Sequence, residues 1–337
     1  MNKEICLDHK QWAEHLRRAH CVNTRTKRGI RLPKQDRIHF SGSCRLLKIH
    51  LDHTAVQGNM QSDGAAFEAW TLAFHFWCGV ERVEIAWDIP AADPKHPLGN
   101  PHYNRFLYRV DRFCDMFPTL ASVGEGNRAA LAASITRTAG RLVLNRPSKP
   151  RDGNVKNNPE AMLEGLLFEG KIPLPSLLPS LDLDRQLPVG LFLNKKAAGN
   201  GVFTAKASAI DLWGVDGDTA WLFELKAAGN CKMGIVSELV FYANLIRDAI
   251  SPEMPTFAFE KECALSRCRR IVACFLVQEG GKGAGPLHPL LEADANGRCV
   301  FQLLNKALPF AGIPVDYRCA VLGRETLEVT QQAGSPG

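Results

Sequence analysis

The sequence predicts a mixed α/β protein built in two parts. Three observations carry that expectation. Strand-type and helix-type apolar runs alternate along the 337 residues. Residues 209–226 read as a β-hairpin turning at Asp216-Gly217-Asp218. Residues 145–154, rich in Asn, Pro, Arg, Lys and Gly, have the composition of a linker. A chain of this length exceeds the usual single core, so the boundary is placed in that linker: residues 1–150 form a separate mixed α/β N-terminal domain and residues 151–337 a second domain.

Taken in order, residues 44–51 have strand character, 65–77 helical character, 83–87 alternate as a half-buried strand does, and 104–117 read as a helix. Target recognition, docking to a partner protein and self-association are the roles open to this part. In the second part, residues 159–169 predict a helix, with Pro159 in the first turn and an apolar stripe behind it. Residues 184–192 read as a strand, followed by a loop carrying Lys195 and Lys196, then by the hairpin. Residues 234–247 repeat at helical spacing with Ser237 as the expected N-cap. The run 269–277 is a further strand, 300–308 a helix, 315–322 a strand, and 331–337 a loose tail.

The hairpin carries the chemistry. Side chains alternate along a strand, so Glu224 and Lys226 leave one face while Phe223 and Leu225 leave the other. If Gly217 and Asp218 are the central turn residues, paired positions sum to 435 and Asp211 stands opposite Glu224. If the turn is Asp216-Gly217, Asp211 faces Leu222 and lies diagonal to Glu224 on the same face; a three-residue loop would change the parity. Two carboxylates and the backbone carbonyl of Leu225 suit Mg²⁺, a hard cation that prefers oxygen and keeps bound waters. Lys226 is placed to orient such a water, to assist its deprotonation or to stabilise charge on a phosphate.

Ser208-Ala209-Ile210-Asp211, followed by Phe223-Glu224-Leu225-Lys226, resembles the signature of the PD-(D/E)XK nuclease superfamily, the restriction-endonuclease-like fold. The likeness spans roughly residues 158–280, and it implies an α/β core of helix, three-strand meander, helix and strand. Glu238 and Tyr242, four apart on the helix after the hairpin, resemble the Gln-x-x-x-Tyr helix motif of the RecB-like branch, with Glu in place of Gln. That departure leaves Glu238 either approaching the metal or capping the helix. The family also implies an acidic residue from the helix before the hairpin. Glu164 is the choice, with Glu160 and Glu169 as alternatives. The metal set implied is Asp211, Glu224, the Leu225 carbonyl and Glu164, holding Mg²⁺ or Mn²⁺. The activity implied is Mg²⁺-dependent hydrolysis of DNA phosphodiesters, as an endonuclease of restriction, antiviral (phage) defence or repair. A catalytically inactive subunit that binds nucleic acid or a partner, and an RNA-directed nuclease, are the alternatives. Cutting both strands calls for two active sites, hence an expected homodimer or higher oligomer.

Composition is compatible with this reading. The net charge of +6 permits nucleic-acid binding without demanding it. Local basic groups say more: Arg25, Lys27, Arg28, Arg31 and Lys34; Arg146, Lys149 and Arg151; and Arg267, Arg269 and Arg270, with Lys195, Lys196, Arg269 and Arg270 taken as the nucleic-acid contacts. The 11 cysteines are odd in number and several lie in apolar runs, which predicts free thiols rather than a disulfide framework. Residues 65–80, the most apolar stretch, are too short for a membrane span and are broken by Glu68 and His75, and the first ten residues hold no secretory apolar region, so a cytoplasmic protein without a membrane partner is expected. The glycines at 280–285 lack the spacing of a P-loop, so an ATPase, if the system uses one, would be another protein.

Overall fold

A computed structural model of the chain describes residues 5–25, 29–145, 159–175, 178–204, 208–227, 232–254, 257–278, 288–309 and 312–322. The expected linker from residue 146 onward, Lys27 and Arg28, the glycine-rich stretch 279–285 and the tail 331–337 lie outside the described residues.

The protein is mixed α/β. Its first sheet runs β1 (Ile38–Gly42), β2 (Leu47–Leu51), β3 (Val83–Trp87), β4 (Ala121–Val123), antiparallel at the first pair and parallel after it. Around it lie α1 (His9–Thr24), the short α2 (His53–Val56), α3 (Phe67–Cys78), α4 (Pro101–Met116), and the short α5 (Arg128–Ala132) and α6 (Ile135–Thr138). The Asp8 carboxylate accepts the Gln11 N–H while the Gln11 side chain takes the Asp8 N–H, a capping box that starts α1. Asn100 caps α4, with Pro101 at its first position, where the missing N–H costs nothing.

After β5 (Leu142–Leu144) and α7 (Pro159–Phe168), the chain builds a second, five-stranded sheet in the order β12 (Val315–Leu322), β11 (Arg270–Gln278), β9 (Thr219–Lys226), β8 (Ala209–Asp216), β6 (Asp184–Pro188). β6, β8 and β9 form an antiparallel meander, whereas β11 runs parallel to β9 and β12 parallel to β11. The expected strand 184–192 is two strands. Pro188 cannot donate to a ladder, and beyond Gly190 the chain turns away as β7 (Leu191–Leu193), which pairs with β5 and, through it, with β10 (Phe257–Phe259) in a three-stranded sheet. The helix expected at 300–308 is a 3₁₀ helix, Val300–Lys306.

The five-stranded sheet lies between two helices. Phe223, Leu225, Val272, Cys274 and Leu276 pack beneath Leu163 and Leu167 of α7. Ala220, Leu222 and Ile271 face α8 (Gly234–Ile250) through Phe241, Tyr242 and Leu245. The opposite flank of α8, with Val236, Leu239, Val240 and Ala243, joins the same core as Trp12, Phe40, Trp70 and Phe113. Residues of the two expected parts therefore share one core. Among the described residues no helix is long and apolar enough to cross a membrane.

Buried charges fasten the shared core. Arg109 of α4 donates Nε to Glu68 Oε1 at 2.8 Å and Nη2 to Glu68 Oε2 at 2.6 Å, and the Ser237 hydroxyl of α8 donates to the same Oε2 at 2.7 Å. Ser237, expected as a helix cap, thus lies inside α8 and ties it to α3. About three turns further along α8, Asp248 Oδ2 accepts from Tyr108 at 2.8 Å and from Arg112 at 2.7 Å. Removing one partner of such a pair strands the other charge in the interior, at about 3–5 kcal/mol. Glu68→Ala is therefore expected to lower unfolding stability by that order in chemical denaturation, with Glu68→Gln milder because the Arg109 and Ser237 hydrogen bonds retain an acceptor; equal stability of wild type and Glu68→Ala would contradict this role.

Candidate active site at the open end of the hairpin

The positive φ of the turn falls on Gly217, at +58°, and the ladder pairs Asp216 with Thr219 and Leu212 with Phe223. Paired positions therefore sum to 435, the register that aims Asp211 at Glu224. Beyond Leu212–Phe223 the ladder changes character: the Leu225 N–H is taken by the side chain of Asp211, at 2.9 Å to Oδ2. In an extended strand a residue's N–H and C=O leave on the same side, so the Leu225 carbonyl faces the same β8 edge. On the other side of Asp211, β6 pairs through Arg185–Leu212 and Leu187–Ile210 but skips Gln186, which sits at φ +55°. That left-handed conformation is uncommon outside glycine. It turns the Gln186 amide onto Glu164, whose Oε2 it reaches at 2.6 Å.

Glu224 is 3% exposed and Lys226 4%. The Lys226 ammonium lies 2.6 Å from Glu224 Oε1, 3.4 Å from Glu238 Oε2 and 3.9 Å from Glu160 Oε2. Glu238 Oε1 accepts from the Gln61 amide and from the Tyr242 hydroxyl, the latter at 3.4 Å. Glu224 Oε2, also buried, accepts from no donor among the described residues. Burial raises the pKa of Glu224 well above the usual carboxylate range, and Asp211 and Glu238 raise it further against the pull of Lys226. Asp211 is raised for the same first reason; Lys226 and the Leu225 N–H oppose the shift, and Glu238 and Glu164 add to it. Burial lowers the pKa of Lys226, but Glu224, Glu238 and Asp211 outweigh it and hold the ammonium above its ordinary pKa. Burial also raises Glu164, less the stabilisation from Gln186 and Arg185.

The structure thus brings together Asp211, Glu224, Lys226, Glu238 and Tyr242, with Glu164 bordering Asp211 and Glu160 reaching Lys226 from one turn earlier on α7. Glu169 pairs instead with Lys171, in solvent. Glu238 does not cap α8; it answers Lys226. Among the described residues, no group of three or more His, Cys, Asp or Glu side chains is arranged to hold a metal ion. The donor set nonetheless suits a hard cation in kind, since Glu224 Oε2 is a buried oxygen without a donor among the described residues, and Asp211 and Glu238 are close enough to raise the pKa of Glu224.

The basic residues fare differently. Arg270 pairs with Thr219, and the Arg269 and Arg270 N–H groups bind Asp218 O, so both sit beside the hairpin turn. Glu224 lies five positions along the strand from Thr219, which places the two arginines about 16 Å from the carboxylates. Lys195 and Lys196 are exposed on the loop leaving β7, which belongs to the three-stranded sheet.

Two participants escaped sequence reasoning. Gln61, 177 positions before Glu238, arrives from the N-terminal part. Nearby, Asp63 Oδ1 accepts the Met233 N–H at 2.8 Å, giving α8 the N-terminal carboxylate that its own residues lack. A Cβ at Gly234 would meet the Gln61 carbonyl oxygen at 2.2 Å, so this glycine is what lets the two segments close.

A carboxylate raised on folding contributes stability at low pH that is lost as the pH climbs through its folded value. Glu224→Gln removes that loss. In chelator, the unfolding free energy of Glu224→Gln is expected to gain on that of wild type as the pH rises from about 5 to about 8. A constant difference across that range would contradict the burial of an ionisable Glu224.

Comparisons with protein-family models, with curated proteins and with solved structures gave no match for this chain, so the reading of the site rests on its own geometry.

Proposed function

We propose that this chain is a metal-dependent phosphodiesterase acting on nucleic acid, with DNA as the first substrate, and that Asp211, Glu224 and Lys226 are its working groups. The observation that carries the reading is the lone buried oxygen of Glu224: one carboxylate oxygen is held by the Lys226 ammonium at 2.6 Å, and the other has no donor among the described residues, beside the half-buried carboxyl group of Asp211. Further support comes from the five-stranded sheet and its two covering helices, which follow one another as α7, β6, β8, β9, α8, β11 once β7 and β10, diverted to the three-stranded sheet, are set aside; that order is compatible with the helix, three strands, helix and strand that the sequence resemblance implies.

Asp211, Glu224 and the Leu225 carbonyl would hold Mg²⁺ or Mn²⁺, with Glu164 at the border. Such an ion supplies Lewis-acid polarisation of a phosphoryl oxygen and a more acidic water. The chain's own groups do the rest. Asp211 is steered by the Leu225 N–H, and Glu224 by Lys226. The raised pKa of Lys226 keeps it an ammonium, which donates hydrogen bonds to a phosphate oxygen or to the attacking water and is poorly suited to act as a base. Glu238, itself held by Gln61 and Tyr242, fixes the ammonium from its far side.

The test is cleavage of plasmid DNA, single-stranded DNA and RNA by the folded protein with Mg²⁺ or Mn²⁺. Wild type is expected to cut DNA, and Asp211→Ala, Glu224→Gln and Lys226→Ala to lose about a hundredfold or more in rate. Variants as active as wild type would remove the residue assignment. A wild type inert on every substrate would leave a nucleic-acid-binding subunit without catalysis, and preferential cutting of RNA would reassign the substrate.

A further inference from the structure

α4 carries three buried arginines on one face, Arg105, Arg109 and Arg112. Two are neutralised. Arg109 forms its bidentate pair with Glu68, and Arg112 lies against Asp248, Asp111 and Asp115. Arg105 is as deeply buried, at 4% exposed, yet among the described residues no carboxylate lies within 4.0 Å of it. Its hydrogen-bond partners among the described residues are neutral: Nη1 donates to Ser208 Oγ at 3.1 Å and to Thr204 Oγ1 at 3.4 Å, and Nη2 to His102 Nδ1 at 3.1 Å.

A guanidinium cannot shed its charge at neutral pH, and burying it without a counter-charge is unfavourable. Burial and Arg109 draw its pKa down only to about 10, while Tyr242 and Glu238 support the charge. The surroundings are built rather than accidental. The Asn104 amide holds the neighbouring chain by donating to Leu98 O at 2.8 Å and to Val202 O at 3.2 Å. The hydroxyls of Ser208 and Thr204 accept from Arg105, which leaves their own protons free for a further acceptor. His102 is held below its usual pKa by burial and by Arg105 and accepts from the guanidinium as a neutral imidazole. The place borders the acidic site: Ser208 stands directly before β8 and three residues before Asp211, and Arg105 is close enough to Tyr242 to influence its phenol.

We infer that Arg105, with Ser208 and Thr204, forms an anion pocket that takes a phosphate of the substrate's backbone, so that the N-terminal part of the chain holds the nucleic acid while Asp211, Glu224 and Lys226 act on it. The inference rests on the phosphodiesterase reading for the identity of the anion, though not for the existence of the pocket. A planar fork of N–H donors matches phosphate oxygens, and two hydroxyl donors complete a tetrahedral set.

The experiment is calorimetric titration of inorganic phosphate into the metal-free full-length protein. Wild type is expected to bind at one site, Arg105→Gln roughly ten- to a hundredfold more weakly, Arg105→Lys in between, and Asp211→Ala as tightly as wild type or more so, since a like charge has gone. Should Arg105→Gln melt early, Arg105→Lys carries the test, because it retains the charge and loses only the fork. Phosphate binding equal in wild type and both Arg105 variants, or absent from wild type, overturns the pocket. Binding through Arg105 in a protein that cuts nothing upholds the pocket and removes the phosphodiesterase reading. In an active protein, Arg105→Gln is expected to raise KM for DNA more than it lowers kcat, and a change in kcat alone would overturn the assignment.

Discussion

Several buried carboxylates share one ammonium group, and the architecture around the hairpin is arranged about that imbalance. Asp211 and Glu224 are brought side by side by strand register, Glu238 approaches from α8, and among the described residues Lys226 alone answers Glu224 and Glu238 within ion-pair distance. In a low-dielectric setting like charges repel strongly, and each element that meets here bears part of the cost. The Leu225 N–H leaves the strand ladder to serve Asp211. Gln186 takes a left-handed backbone to serve Glu164. Gln61 crosses from the other end of the chain to serve Glu238. Together these contacts offset part of the cost of holding like charges close to one another.

The N-terminal part is bound into this arrangement. α8 presents Glu238 and Tyr242 to the sheet from one side, and from its flanks Ser237 and Asp248 grip Glu68, Tyr108 and Arg112 of α3 and α4. Its first turn is capped by Asp63 and closed against Gln61 at Gly234. The acidic site is therefore assembled by both parts of the chain, and the helix between them is fixed by buried ion pairs whose geometry leaves little freedom. The same α4 that grips α8 delivers Arg105 to the rim of the site.

Local physics made part of this legible in the sequence. The parity of Glu224 and Lys226 follows from strand alternation, and a two-residue turn with glycine at its first central position sets the register that opposes Asp211 to Glu224. Helical spacing put Glu238 and Tyr242 on one face. What escaped was long-range. The direction of β11 cannot be read from its apolar run. Because it lies parallel to β9, its first residue, Arg270, and the preceding Arg269 end up beside the hairpin turn; an antiparallel strand would have set them near Lys226. Gln61 and Arg105 carry no local signal, since their partners are far away in the chain. The break between β6 and β7 was signalled by Pro188 and Gly190, whose apolar neighbours disguised them as one strand.

The proposed function requires the carboxylates around Lys226 to seat a divalent cation. Titrating Mn²⁺ into the full-length protein while following the free-ion signal by electron paramagnetic resonance tests it without reference to any substrate. The account predicts one saturable site that Mg²⁺ displaces and that Asp211→Ala abolishes; an absence of saturable binding, or binding that Asp211→Ala leaves intact, would contradict it.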